Sequence, residues 1–265
     1  MNGQKGLWFV IVAWGLIFTP AFAAKTEEKA PKGWFERAKT DLAHLPADVF
    51  DGSKDTFLRR DNMAALFLAG GASIAMDKSN ADDKIARNFE CHRSFRGFRD
   101  ETFYIVGGPG FHFAAAGLWY AISAEKPDEL NRERAWTMIK ALSVTSLTTT
   151  GLKAAVDNET PNHKRWAWPS GHISSSFTAA SVLDEFYGPG VGIPTYGLAS
   201  VVAWRMMDTG DHWASDIVFG ATLGWVVGHG VAGKYKVPEM AGFEILPYAS
   251  ADGDSVTGVM LVKQF

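Results

Sequence analysis

The 265-residue chain has a single cysteine, Cys91. One thiol excludes an internal disulfide and any metal site built from paired cysteines, and it leaves the redox compartment undetermined. Net charge is also scarce. Lysine and arginine number 26 against 29 acids, a formal charge of −3, which excludes a nucleic-acid binder that works through bulk positive charge. No internal repeat and no low-complexity segment is present. Gly107-Gly108-Pro109-Gly110 has no strand before it and no Lys-Ser/Thr after it, so it is not a nucleotide loop. Long apolar runs are few. Residues 103–123 are long enough to cross a membrane and 217–233 nearly so, but the first carries Gly107, Gly108, Pro109 and His112 in its middle and the second carries His229. With well-charged segments between them, they read as buried helices of an all-α core, with a monotopic membrane attachment left open.

What is there is a globular composition, 47% hydrophobic and 21% charged, enough to bury one substantial domain with a small appendage. Lys5 precedes an apolar run that ends in Ala21 and Ala23 and is followed by "KTEEKA". This pattern matches a secretory signal cleaved after Ala23 or Ala24, with an uncleaved anchor helix as the rival. The expected organisation is a signal peptide at 1–24, a helical domain at 25–240 and a C-terminal β-hairpin at 241–265, where β-branched residues flank "ADGD".

Within the domain, a short helix is expected around 33–45, then helices at 59–76 behind the cap candidate Asp61 and at 80–90 behind Asn80. The apolar segment 103–123 and a long helix at 127–156 follow. A polar loop occupies 157–168, and helices return at 171–187, about 192–207, and 212–233. In the last, Gly220, Gly224 and Gly228 recur every four residues, which predicts a face of bare backbone where another helix approaches closely.

Three short stretches can carry chemistry. Pro169-Ser170-Gly171-His172 stands at the start of a helix, whose first N–H groups lack partners within the helix and favour anions. Gly171 permits close approach, and His172 would sit beside the anion with a proton to give; the bland reading is a serine-capped helix with a surface histidine. His212 and Asp216, four apart, would share a helix face, so that the carboxylate accepts the imidazole Nδ1–H and frees Nε2. The bland reading is an ordinary polar pair, but the helix beyond Asp216 is almost uncharged, which argues for an interior or a pocket. Lys153 is a cation in an otherwise apolar helix end. Two histidines, a carboxylate, a lysine and an arginine suit an anionic phosphoryl group attacked by histidine.

These residues resemble the type 2 phosphatidic acid phosphatase (PAP2) superfamily, which also holds bacterial acid phosphatases and vanadium haloperoxidases. The family pattern is a lysine, six residues and Arg-Pro; Pro-Ser-Gly-His; and Ser-Arg, five residues, His, three residues, Asp. Here it reads Lys153 to Thr160-Pro161, the intact Pro169–His172, and Trp204-Arg205 followed by six residues, His212 and Asp216. The resemblance implies a helical bundle in which His212 attacks phosphorus to form a phosphohistidine and Asp216 orients it. His172 would protonate the leaving alcohol and then activate water. Lys153, Arg205 and the backbone of Ser170 and Gly171 would hold the phosphoryl oxygens. No metal and no cofactor is implied. Three departures stand out: Thr160 replaces the motif arginine, Trp204 replaces the serine, and one extra residue lies between Arg205 and His212. The segment between Arg205 and His212 also contains Asp208 and Asp211, which would repel phosphate if they faced inward. Lys164 or Arg165 could supply the missing cation.

The leading expectation is a secreted or periplasmic phosphomonoesterase acting on a phosphorylated small molecule or lipid, with no nucleic-acid partner and peripheral membrane contact left open. Trp166, Trp168 and Trp213 bracket the proposed site and suit an interface with one wet side, although core packing explains them as well. The alternatives are a catalytically weakened phosphate or lipid-headgroup binder and, behind it, a vanadium-dependent haloperoxidase.

Overall fold

A computed structural model describes residues 34–126, 128–233 and three strands at 239–240, 243–249 and 257–262. The expected signal segment 1–24 lies outside these residues. The chain divides into two compact units, up to Ala232 and from Gly233 onward, so the boundary falls several residues before the expected 240. In the second unit, β1 (Glu239–Met240), β2 (Phe243–Ala249) and β3 (Thr257–Val262) form an antiparallel sheet in the order β1-β2-β3. Leu246 faces Met260 in its register. The "ADGD" turn is outside the described residues.

The first unit is all-α. Among the described residues it contains α1 (Trp34–Phe57), α2 (Arg60–Lys78), α3 (Ala81–Cys91), α4 (Phe98–Val106), α5 (Pro109–Glu125), α6 (Glu129–Val156), α7 (Gly171–Tyr187), α8 (Pro189–Asp208) and α9 (Ala214–Ala232). Three local expectations change. The short first helix runs on to Phe57 through Pro46. The cap of α2 is Arg59 rather than Asp61, and Asp61 instead accepts hydrogen bonds from the Arg59 guanidinium. The apolar segment 103–123 is two helices, because the chain turns at Gly107-Gly108 and Pro109, with no N–H to place in a ladder, opens α5. Asn80 does precede α3, in the left-handed region and without a side-chain cap bond.

α9 is the central element. Its outward share is small, and Leu223, Val226 and Val227 are buried with Leu142, Val144, Val182 and Leu183 in the main core. Each such side chain contributes about 1.5–3 kcal/mol by leaving water. The glycine stripe is packed against α7, as its spacing predicts. A Cβ at Gly220 would lie 3.0 Å from the Ser170 carbonyl oxygen, one at Gly224 would lie 2.8 Å from Phe177 Cβ and from Thr178 N, and one at Gly228 would lie 2.8 Å from the Thr178 carbonyl oxygen. Three bare positions, one turn apart, therefore let the whole length of α7 lie on α9. Because α7 begins at Ser170-Gly171-His172 and α9 begins just after His212, the same stripe brings the two motif ends together.

Among the described residues, no helix is long and apolar enough to cross a membrane.

Candidate active site

His212 precedes α9 rather than lying on it. The shared-helix-face expectation is corrected here, although the predicted pairing with Asp216 is present. Trp213 caps the helix and Asp216 is the third residue inside it. The Asp216 Oδ2 accepts the Trp213 N–H at 2.9 Å, the reach-back half of a capping box, and also faces His212 Nδ1 at 3.1 Å. One carboxylate thus starts the helix and orients the imidazole. With Nδ1 donating to Asp216, Nε2 carries the lone pair, and no described residue binds it. Asp216 is fully buried, and its Oδ1 has no hydrogen-bond partner among the described residues. Such an orphan costs about 1–3 kcal/mol and is rarely kept without a role.

Ser170 caps α7, its Oγ accepting from Ile173 N at 3.5 Å. Its own N–H donates to the Asp216 carbonyl at 3.3 Å, which ties the two helix starts together. That amide is therefore engaged in the fold. The amides of Gly171 and His172 have no intrahelical acceptor, an arrangement that favours an anion. Lys153 reaches the same place from α6: its Cε would lie 3.9 Å from a Cβ on Gly171. Its Nζ donates to the carbonyls of Trp166 and of Ala167, the latter at 3.1 Å. Burial, opposed by the charge of Asp216, lowers its pKa to about 8.

His172 is in the first turn of α7. Burial, then the charges of His212 and Arg205, lower its pKa to about 3. At neutral pH the imidazole is therefore uncharged.

Arg205 is buried in the last turn of α8. Its Nε donates to Asp100 at 2.7 Å, and its Nη1 is paired with Asp211. Burial raises the Asp211 carboxyl, but hydrogen bonds from Lys164 and Asn162 and the charge of Arg205 outweigh it and hold the group well below the usual carboxylate range. Asp211 therefore faces cations. Asp208 turns away as well, accepting the N–H groups of Ser94 and Phe95, each at 2.8 Å. Gly210, at φ 72°, makes the left-handed turn that carries the chain from α8 to His212.

Thr160, in place of the motif arginine, is buried and closes the 157–168 loop. Its Oγ1 donates to Asn162 Oδ1 at 2.6 Å and accepts the Lys164 N–H at 2.9 Å. Lys164 is held by Asp211 at 2.9 Å. Arg165 is exposed and paired with Asp157, so the structure does not bring it to the other predicted residues. The tryptophans divide. Trp166 is exposed, while Trp168 packs 4.3 Å from the Phe219 ring and Trp213 donates to the Glu159 carbonyl at 2.6 Å.

Sequence reasoning missed Asp100, Tyr104 and Gly108. Tyr104 lies 4.8 Å from the His172 ring and 4.9 Å from Arg205 Cζ, and a Cβ on Gly108 would be 3.6 Å from His172 Nε2. Beside the site, a cavity of about 570 Å³ is walled by Ile74, Val156, Trp168 and Trp213, with Asp77, Asp82, Asp83 and Glu159 also lining it. Among the described residues no three His, Cys, Asp or Glu side chains cluster as a metal site would require.

The fold is a helical bundle in which the start of α7, with His172 in its first turn, is tied through Ser170 to the start of α9, where Asp216 backs His212. The chain belongs to the PAP2 superfamily, whose family model matches residues 82–236. It is 34% identical over 65 residues to a lipid A 1-phosphatase of Porphyromonas gingivalis, a match covering 23% of this chain and only 15% of that protein. The fold is similar to a transmembrane PAP2-type phosphatidylglycerolphosphate phosphatase from Bacillus subtilis, at TM-score 0.54 and 16% identity over 66% of this chain and 96% of that one. A second solved structure, Aquifex aeolicus LpxE, superposes at TM-score 0.47 with 18% identity, covering 56% of this chain and 94% of that one.

Proposed function

We propose that the protein is a phosphoric monoester hydrolase that uses His212 as nucleophile on a lipid-like phosphate ester, outside the cytoplasm. The observation that carries this reading is the His212–Asp216 pair, with Nε2 unengaged, beside the open amides of Gly171 and His172. The Nε2 lone pair attacks phosphorus as the ester P–O bond breaks, and Asp216 stabilises the imidazolium character that develops at Nδ1. Lys153 and the two amides hold the phosphoryl oxygens, with Ser170 holding the cradle in place. His172 gives its proton to the leaving alkoxide. It then takes a proton from water as the water attacks phosphorus and the N–P bond breaks, returning the electron pair to His212. A bound phosphoryl dianion favours protonated His172, offsetting the burial that favours its neutral form. Arg205, engaged by Asp100 and Asp211, donates to a phosphoryl oxygen only by giving up one of these carboxylates. Arg165 adds a further cation only by leaving Asp157.

The lipid part of the reading rests on the outer faces of three helices. Residues 62–76 of α2, 109–124 of α5 and 189–204 of α8 carry no Asp, Glu, Lys or Arg. Phe67, Leu68, Ile74, Leu118, Ile122, Ile193 and Trp204 are exposed on them, more apolar surface than a water-facing helix needs. The names of the similar phosphatases agree with a lipid substrate. The acidic lining of the neighbouring cavity disfavours a second phosphate and so favours monophosphates over diphosphates.

The test is hydrolysis of phosphatidic acid, phosphatidylglycerophosphate, undecaprenyl pyrophosphate and soluble monoesters by the purified protein, with vanadate as inhibitor. Turnover that disappears in His212→Ala supports the enzyme. The engagement of Arg205 by two acids and the loss of the motif arginine favour one rival, a headgroup binder. Saturable binding without turnover would establish that rival, and vanadate-dependent bromide oxidation would establish a haloperoxidase.

A further inference from the structure

His212 and His172 are held in different ways. His212 has the Asp216 carboxylate on Nδ1. Neither ring nitrogen of His172 has a hydrogen-bond partner among the described residues. Yet a general acid that later serves as base must keep its ring in one orientation through both steps, or the proton has nowhere defined to go. Something other than a hydrogen bond must therefore fix this imidazole.

The geometry points to a slot made by Tyr104 and Gly108, and we propose that Tyr104 is the positioning residue for His172. The inference rests on the proposed role of His172 as acid and base. The two rings lie 4.8 Å apart between centroids with 38° between planes, within the range in which aromatic rings attract. Gly108 supplies bare backbone next to Nε2: a methyl there would sit 3.6 Å from the nitrogen, in van der Waals contact with it. The slot is rigidly mounted. Tyr104 is in the last turn of α4, and the next turn of chain is locked by Gly107, whose Cβ would lie 2.9 Å from the Phe103 carbonyl and closer still to a Val202 methyl. Ser176 Oγ donates to the Gly107 carbonyl at 3.3 Å, joining the slot to α7 itself. Behind α7, His112 Nδ1 pairs with Ser175 Oγ at 3.1 Å, and that hydroxyl donates to the His172 carbonyl. This second contact supports the His172 backbone and leaves its ring free.

Tyr104 is itself fixed from the other side. The Arg205 guanidinium lies 4.9 Å from its ring centroid, a cation–π distance, and Arg205 is anchored by Asp100 and Asp211. A continuous row therefore runs Asp100, Arg205, Tyr104, His172. It gives the pair of acids on Arg205 a purpose: they aim the guanidinium at the tyrosine ring. The ring face is what the slot requires, and the phenol hydroxyl is not.

The experiment compares kcat/KM for two monoesters, an alkyl phosphate whose leaving alkoxide needs a proton and 4-nitrophenyl phosphate whose leaving phenolate does not. Wild type, His172→Ala, Tyr104→Phe and Tyr104→Leu are measured on both. The expected result is a fall of 10- to 100-fold on the alkyl ester for Tyr104→Leu, less than threefold on the nitrophenyl ester, and near wild-type values on both for Tyr104→Phe. Equal losses on both esters in Tyr104→Leu would show a structural role only and overturn the proposal, as would no loss. His172→Ala separates the two layers. Should it lose both esters equally, the acid role of His172 fails; should it lose the alkyl ester selectively while Tyr104→Leu does not, only the slot fails.

Discussion

Gly224→Ala tests the glycine stripe that brings the two histidines together. The added Cβ would lie 2.8 Å from Phe177 Cβ and Thr178 N, and closer still to the Ser174 carbonyl oxygen. Two of these three atoms belong to the α7 backbone, so no rotamer change relieves the clash, and ordinary contact near 3.4–4 Å requires α7 to retreat by about 1 Å. Overpacking of this kind costs about 1–3 kcal/mol, which in a chain of this size lowers Tm by roughly 3–10 °C. The catalytic effect is larger than the stability effect. Shifting one half of a reacting constellation by about 1 Å costs on the order of 100-fold in rate, and α7 carries His172 and the amide cradle while α9 carries Asp216. The assay is thermal unfolding paired with kcat/KM on a soluble monoester. Gly117→Ala, which meets nothing within 4 Å on α5, serves as control and should leave both unchanged or slightly raise Tm. Gly224→Ala with wild-type Tm and activity would refute the claim that this close approach sets the site.

Two other perturbations follow from the site. Lys153, with its pKa lowered by burial to about 8, is charged below that pH and neutral above it, so kcat/KM should fall about tenfold per pH unit above pH 8. Lys153→Arg keeps its charge and should flatten that limb at a lower absolute value; a wild-type profile level to pH 10 would remove Lys153 from phosphate binding. Arg165→Ala should depress hydrolysis strongly if the loop swings Arg165 from Asp157 onto the phosphate, and unchanged kinetics would leave Arg165 as a surface partner of Asp157.

The readings that came directly from the sequence were those with local spacing. Pro169–His172 at a helix start and the Gly220/Gly224/Gly228 repeat lie as their spacing predicts, while the four-residue interval between His212 and Asp216 predicts the pairing but not that His212 lies before the helix. What stayed hidden was set by distant partners. Arg205 meets Asp100 across 105 residues, Asp208 meets Ser94 across 114, and Ser215 meets Asp82 across 133; no periodicity records such pairings. The break at Gly107-Gly108 was hidden for a different reason. The last turn of α4, from Phe103 to Val106, and the first turns of α5 are both largely apolar, so the hydrophobic pattern continues across the turn that places Tyr104 and Gly108 against His172. His212 was placed on the helix because its spacing to Asp216 is the same whether the residue is helical or, as found, one position before the cap. Asp208 and Asp211 looked hostile to phosphate in the sequence. Folding turns one onto backbone amides and the other onto Arg205 and Lys164.

The most direct measurement is to mix the protein with an aryl phosphate, quench within milliseconds under alkaline denaturing conditions that preserve phosphoramidate bonds, and map the phosphorylated peptide by mass spectrometry. The account predicts a phosphoryl group on His212, absent in His212→Ala and depleted by longer incubation. Turnover with no adduct on His212, or an adduct on any other residue, would contradict it.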